Sequence, residues 1–361
     1  MKKIVKYFLT ILFGVFLALL FLELTLRIWH PLKYTVRGDK IILASNIKVK
    51  MKNNWIKKLD DTIYYSRNSI GLRGEEYPAD PSQYITIITV GGSTTECKFL
   101  SDQKTWPELL KQDLNKVYGN IWLNNAGLDG HSTFGHLILL NDYIVKFHPA
   151  YILFLVGAND VELDRPADLD DQDIKGIHGH SLKYFFKSLI NYSEVGSMLL
   201  ALYRNHLAYS KGLVHKERDP DQLGLGPTDS LTRERKLDEQ RDFLSNYAGR
   251  LKELASISLR NGIQPVFITQ PALYGNVIDS TTGVYMGDRN LDGFDCSTLW
   301  AVLELYNNEV RKLRFSGIAV IDLAAAMPKD SKYYYDFMHY TNRGAAKVAS
   351  ILTDSLRFII K

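Results

Sequence analysis

An α/β fold, with a parallel sheet covered on both faces, is what this sequence predicts. Five short apolar runs lie at residues 84–90, 121–125, 151–156, 264–269 and 318–323. Each is continuous rather than alternating, as expected of strands buried on both faces. Helical stretches separate them near 106–117, 134–146, 236–260 and 297–315, and a last one covers 342–360. Such alternation of strand and helix makes βαβ units and therefore a parallel sheet.

The chain opens differently. Lys2, Lys3 and Lys6 precede an apolar stretch from Tyr7 to Leu22, which continues through Glu23, Thr25 and Arg27 to Trp29. A bilayer core needs about 20 mostly apolar residues in a helix. The bulky run Leu24-Thr25-Leu26-Arg27-Ile28-Trp29 carries no small-residue cleavage pattern. Residues 1–30 therefore read as an uncleaved transmembrane anchor, with Trp29 at an interface. Arg27, Lys33, Arg37 and Lys40 blur the charge bias across the span. The short lysine tail still favours a cytoplasmic N-terminus, with the remaining chain on the extracytoplasmic side.

Residues 31–80 read as a connector with some strand content. The turn-rich run Asn68 to Gly74 lies inside it, and Pro78 and Pro81 mark the entry to a main domain at 81–361. The stretch 161–235 breaks the rhythm. It holds an acidic piece at 164–173, an amphipathic segment at 182–209 and a Gly/Pro loop at 223–229. It is too long for a plain connection and is expected to be a helical insertion, either a cap near the sheet's carboxyl edge or a decoration.

Composition narrows the function classes. The 361 residues are 46% hydrophobic and 23% charged, a globular balance with ample core. The net charge is only +4 and there is no basic block with interleaved aromatics, so nucleic acid is not the expected partner. Two cysteines, Cys97 and Cys296, rule out a disulfide scaffold, and their spacing does not say whether they pair.

The chemistry-bearing residues follow the strands. The first run ends in Gly91-Gly92-Ser93-Thr94-Thr95, a glycine-rich turn with a hydroxyl at its tip. Open α/β sheets place their sites at this carboxyl edge. A serine needs a base to become a nucleophile. Tyr335-Asp336-Phe337-Met338-His339 lies in the loop after the fifth run and supplies one. Asp336 is three residues before His339 and can hold one imidazole nitrogen, leaving the other for Ser93. Acyl transfer also needs oxyanion donors. Candidates are the backbone N–H groups of Ser93 and Gly130, with Gly127 as an alternative to Gly130, and the side-chain amide of Asn159.

These four segments, in this order, resemble the SGNH (GDSL-type) hydrolases over about residues 84–360. Ser93 matches the family's nucleophile, Gly130 its second-block glycine, Gly157-Ala158-Asn159-Asp160 its third block, and Asp336 and His339 its final Asp-x-x-His block. The run 68–74 also resembles what precedes the serine block in membrane-anchored members. The resemblance implies a flavodoxin-like five-stranded sheet of order 2-1-3-4-5. It also implies a serine esterase needing no cofactor or metal. With the anchor, the expected substrate is an ester on a small molecule, glycan or cell-envelope component, such as an O-acetyl group. An O-acetyltransferase that passes the acyl group to a sugar hydroxyl is the alternative, and a non-catalytic envelope scaffold is the second. Gly92 departs from the family, which usually has aspartate there.

Other motifs have blander readings. His131 and His136 flank the second block and either line the pocket or serve a structural role. His178-Gly179-His180 lacks metal-cage spacing. Asp288 to Gly293 resembles the start of a calcium loop, but Leu299 stands at its twelfth position, so an Asp-rich turn is the better reading.

Overall fold

The computed structural model describes residues 2–29, 36–37, 40–41, 43–164, 192–210, 215–227 and 229–361. Much of the expected insertion, including the 178–180 motif, therefore lies outside the described residues. The chain forms two compact units. One comprises Met1–Ala44 with Asp171–Val214, the other Ser45–Asp170 with His215–Lys361.

In the first unit, Lys2–Trp29 is a single helix. Its Lys3–Trp29 portion holds an 18-residue stretch with a mean hydropathy of 2.4, and the helix is long and apolar enough to cross a membrane. At 1.5 Å per residue it is about 40 Å long. A second helix, Glu194–Ser210, belongs to the same unit.

The second unit is built on a five-stranded parallel sheet. Its strands are β1 (Ile85–Gly91), β2 (Ile121–Asn125), β3 (Tyr151–Val156), β4 (Gln264–Thr269) and β5 (Ala319–Ile321). The spatial order is β2-β1-β3-β4-β5, all parallel, which is the expected order. The four main helices are α1 (Trp106–Tyr118), α2 (Arg241–Arg260), α3 (Cys296–Lys312) and α4 (Asn342–Leu356). The chain moves one way from β1 to β2 and the other way thereafter. Right-handed crossovers then put α1 on the opposite face from α2 and α3. Accordingly α1 packs with α4, and α2 packs with α3.

Two helical stretches are less regular than the sequence suggests. The one expected near 134–146 is α-helical only over Thr133–Ile138, then widens into a π turn at Leu139–Tyr143 and tightens to 3₁₀ at Ile144–Phe147. The added width keeps Leu139, Leu140 and Ile144 all buried. The stretch near 236–260 breaks between Ser230–Asp238 and α2. The break is at Gln240, which is fully buried and whose amide donates to the Lys236 carbonyl and to Glu162.

Residues 45–80 lie in the same unit as the sheet. Ile47–Lys52 and Thr62–Arg67 form an antiparallel hairpin. Arg73 then exchanges two backbone hydrogen bonds with Asn125, at 2.9 and 2.8 Å. This covers part of β2, an edge strand whose unpaired groups would otherwise be open to other chains.

Candidate active site

The parallel register brings the carboxyl ends of the strands level. Thr89 is opposite Asn125 in β2 and Gly91 is opposite Leu155 in β3. Beyond the strand, Ala126 N–H donates to Thr89 and Leu128 N–H to Gly91, holding the 126–130 loop beside the turn that follows β1.

Ser93 begins a one-turn helix, Ser93–Glu96, so its N–H is among the donors of a first helical turn that have no intrahelical partner. The Ser93 Oγ lies 2.8 Å from His339 Nε2, and His339 Nδ1 lies 2.7 Å from Asp336 Oδ2. The other carboxylate oxygen of Asp336 accepts the backbone N–H groups of Met338 (2.8 Å) and His339 (2.7 Å). With Nδ1–H donated to the carboxylate, Nε2 is left to accept the serine proton. The charges shift one another. Burial works to raise the Asp336 carboxyl, but the His339 charge and three hydrogen bonds outweigh it, and the group ends below its ordinary value. Burial works to lower His339, but Asp336, aided by Asp129, outweighs it and holds the imidazole above its ordinary value.

Asn159 stands in the 3₁₀ turn Ala158–Asp160 that follows β3. Its amide donates to the His131 carbonyl at 2.9 Å, which fixes one of its two protons and leaves the other. Gly92, Ser93 and Asn159 line one recess. Ser93 and His339 line a second. Gly130 has φ of 74° in the loop after β2. Gly127 is committed to packing instead. A Cβ there would come within 2.3 Å of the Glu96 backbone nitrogen, so it sits tight against the serine's helix. Its N–H is donated to Asn125 Oδ1 at 2.8 Å.

Several neighbours were not singled out by sequence. His215 places its ring 4.2 Å from that of His339, centroid to centroid. Its Nδ1 is 2.6 Å from the Tyr335 hydroxyl and its Nε2 is 3.3 Å from each oxygen of Asp129. Tyr335 also stacks on His339, 5.5 Å away with planes 12° apart. A second hydrogen-bonded chain, Tyr335–His215–Asp129, thus runs beside the first. Burial works to raise Asp129, but the bond and charge of His215 outweigh it and bring the carboxyl down to about 2.

Buried charges hold the serine's helix from below. Glu96 accepts from Tyr65 (2.9 Å), Arg67 (3.1 Å) and the Asp129 N–H (2.8 Å). Arg73 donates to the carbonyls of Cys97 (3.0 Å) and Leu100 (3.0 Å) and to Asp102 (2.7 Å). Asp160 receives Thr133 N–H at 3.0 Å and Arg250 at 3.3 Å, which ties the third block to the helix after the second.

The other motifs resolve simply. His131 and His136 are buried and line the recess beside Ser93, so neither is solvated. Burial lowers them to about 4 and about 3, which keeps both neutral. Cys97 and Cys296 are both free and buried. Asp292 and Gly293 form the left-handed tip of a hairpin between Asn290–Leu291 and Phe294–Asp295. Asp295 caps α3 through Thr298 N–H at 2.8 Å.

No known family model matches the chain, and no curated protein does. Solved structures are similar to it at low identity. A GDSL-like lipase from Bacteroides thetaiotaomicron is 10% identical with a TM-score of 0.39, over 79% of this chain and 91% of that one. A lipase/acylhydrolase from Enterococcus faecalis is 15% identical with a TM-score of 0.42, over 76% and 97%. An acetyl xylan esterase is 14% identical with a TM-score of 0.41, over 75% and 100%.

Proposed function

We propose that the protein is a serine esterase that removes short O-acyl groups, such as acetyl, from a glycan or cell-envelope component. The observation that carries this is the hydrogen-bonded chain Ser93–His339–Asp336 at the carboxyl edge of the sheet. His339 Nε2 takes the Ser93 proton as Oγ attacks the ester carbonyl. The oxyanion is received by the Ser93 and Gly130 N–H groups and the free proton of the Asn159 amide. Collapse expels the alcohol, which takes the proton from His339 and leaves an acyl-Ser93. Water, deprotonated by His339, then releases the acid. Asp336 keeps the imidazole tautomer and orientation fixed throughout.

The short acyl group is supported by how little room the recesses beside Ser93 leave: their cavity volumes are each about 10 Å³, far below the roughly 300–1,000 Å³ of sites for larger ligands. The polymer-borne substrate is supported by the N-terminal helix. It would hold the enzyme at a membrane, with the catalytic unit on the extracytoplasmic side.

The test uses the full-length protein in detergent. Wild type should hydrolyse p-nitrophenyl acetate and release acetate from an O-acetylated glycan, and Ser93→Ala should do neither. Acyl-Ser93 that persists in water but is discharged by added glycan would instead establish transfer to a sugar hydroxyl. Absence of both turnover and acylation would leave a scaffold.

A further inference from the structure

We infer that helix Glu194–Ser210 is a second membrane-seated element, which rests on lipid and is docked to the N-terminal helix through Glu23. This rests on the reading that Lys3–Trp29 spans a bilayer.

A carboxylate in an apolar helix is costly in hydrocarbon unless its oxygens are paired. Those of Glu23 are. They accept from Ser193 Oγ, Glu194 N–H and Val195 N–H, each at 3.0 Å, and from Arg27 Nε at 2.9 Å. The two backbone groups are first-turn donors of the second helix, which need partners from outside that helix. Each helix therefore supplies what the other lacks. Arg27 completes the joint by donating to the Tyr192 carbonyl. At the contact, Leu26 of the first helix and Ser197 of the second are buried.

Beyond this first turn the second helix shows an apolar face. Leu199, Leu202 and Tyr203 fall on one stripe and are 58%, 57% and 62% exposed. Tyr192 and Trp29 near the joint are 73% and 75% exposed. Amphipathic aromatics suit the headgroup level, where one part is wet and the other apolar. The stripe belongs to the same compact unit as the first helix, whose exposed side chains between Tyr7 and Leu24 are mostly apolar. The occupant that fits both is lipid. The second helix then lies at the interface, with its apolar stripe towards the acyl chains.

The test places a nitroxide on cysteine at Leu17→Cys, Leu202→Cys or, as a water-facing reference, Glu253→Cys. The full chain is studied in phosphatidylcholine–phosphatidylglycerol vesicles. The unsubstituted chain, whose two cysteines are buried, gives the labelling background. Collision with oxygen is compared with collision with a water-soluble nickel chelate. Both Leu17 and Leu202 labels should show a several-fold higher oxygen-to-nickel ratio than the Glu253 label. In Glu23→Ala the ratio at Leu202 should fall while that at Leu17 holds, and Glu23→Gln, which keeps one acceptor, should recover part of it. A lipid-like Leu17 with a water-like Leu202 overturns the inference and leaves the span intact. A water-like Leu17 removes the span and the inference together. Dipolar broadening at Leu202 would show a second copy on this face, and a Leu202 ratio unmoved by Glu23→Ala would remove the docking role. Either result overturns the inference.

Discussion

The Asn159 side chain occupies the space that any β-carbon at residue 92 would need: an ideal Cβ on Gly92 comes within 2.4 Å of Asn159 Nδ2. The glycine at this position is thus matched to an amide packed directly against the turn. The obstructing atom is the end of a side chain, so it can move without unfolding the protein. Gly92→Ala should therefore keep its thermal transition within a few degrees while the amide is displaced. Loss of one oxyanion donor costs about 10²–10³ in kcat. A fall of that order, with little change in KM, is expected. Full activity in Gly92→Ala would mean that Asn159 does not serve the oxyanion.

Asp336→Asn should change the pH profile as well as the rate. His339 must be neutral to act as base, and Asp336 holds its pKa above the ordinary 6.5 against the opposing effect of burial. In wild type, kcat/KM should therefore fall as pH drops through a value above 6.5. Without the carboxylate, burial is left to lower the imidazole, so this acidic limb should move to lower pH. The amide also favours the wrong tautomer, and kcat should drop by about 10⁴. A pH–rate series on both proteins checks the two effects.

Asp129→Asn is a milder version of the same test. Its charge also raises His339, but less than Asp336 does. Asparagine can still accept from His215. The acidic limb should move in the same direction by less, with the thermal transition unchanged. A limb that does not move would show that the Tyr335–His215–Asp129 chain has no electrical influence on the base.

The hairpin before the sheet should matter for stability. Arg67 is 2% exposed and pairs with Glu96, on the helix that carries Ser93. Arg67→Met leaves that carboxylate buried without its charge partner, a loss of about 3–5 kcal/mol. Adding Glu96→Gln should restore part of it. Denaturant unfolding of the single and double variants measures both. A single variant within about 1 kcal/mol of wild type would mean that the 45–80 segment does not brace the nucleophile's turn.

The sheet was legible because its strands are buried on both faces and read as unbroken apolar runs; β2, β3 and β4 have the bounds read from sequence. Ser93, Asn159, Asp336 and His339 were legible because each follows a strand, so the topology alone brings them to one edge. His215 was not. It lies between the amphipathic segment and the Gly/Pro loop of the long 161–235 stretch, with no predicted strand before it, and only the folded chain shows that it meets His339. Arg67 and Glu96 were hidden for a related reason: a lone charge looks solvated until its burial and partner are known. The pairing of the Gly127 N–H with Asn125 Oδ1 was hidden too, because composition does not encode it.

Everything proposed for the chemistry depends on Ser93 being a nucleophile activated by His339, and covalent labelling tests this most directly. The full-length protein in detergent is treated with a fluorophosphonate, and the adduct is located by peptide mass mapping. One adduct is expected, on Ser93, formed at least about 10²-fold more slowly in His339→Ala. No adduct, or an adduct on another serine, in protein that keeps its native thermal transition would contradict it.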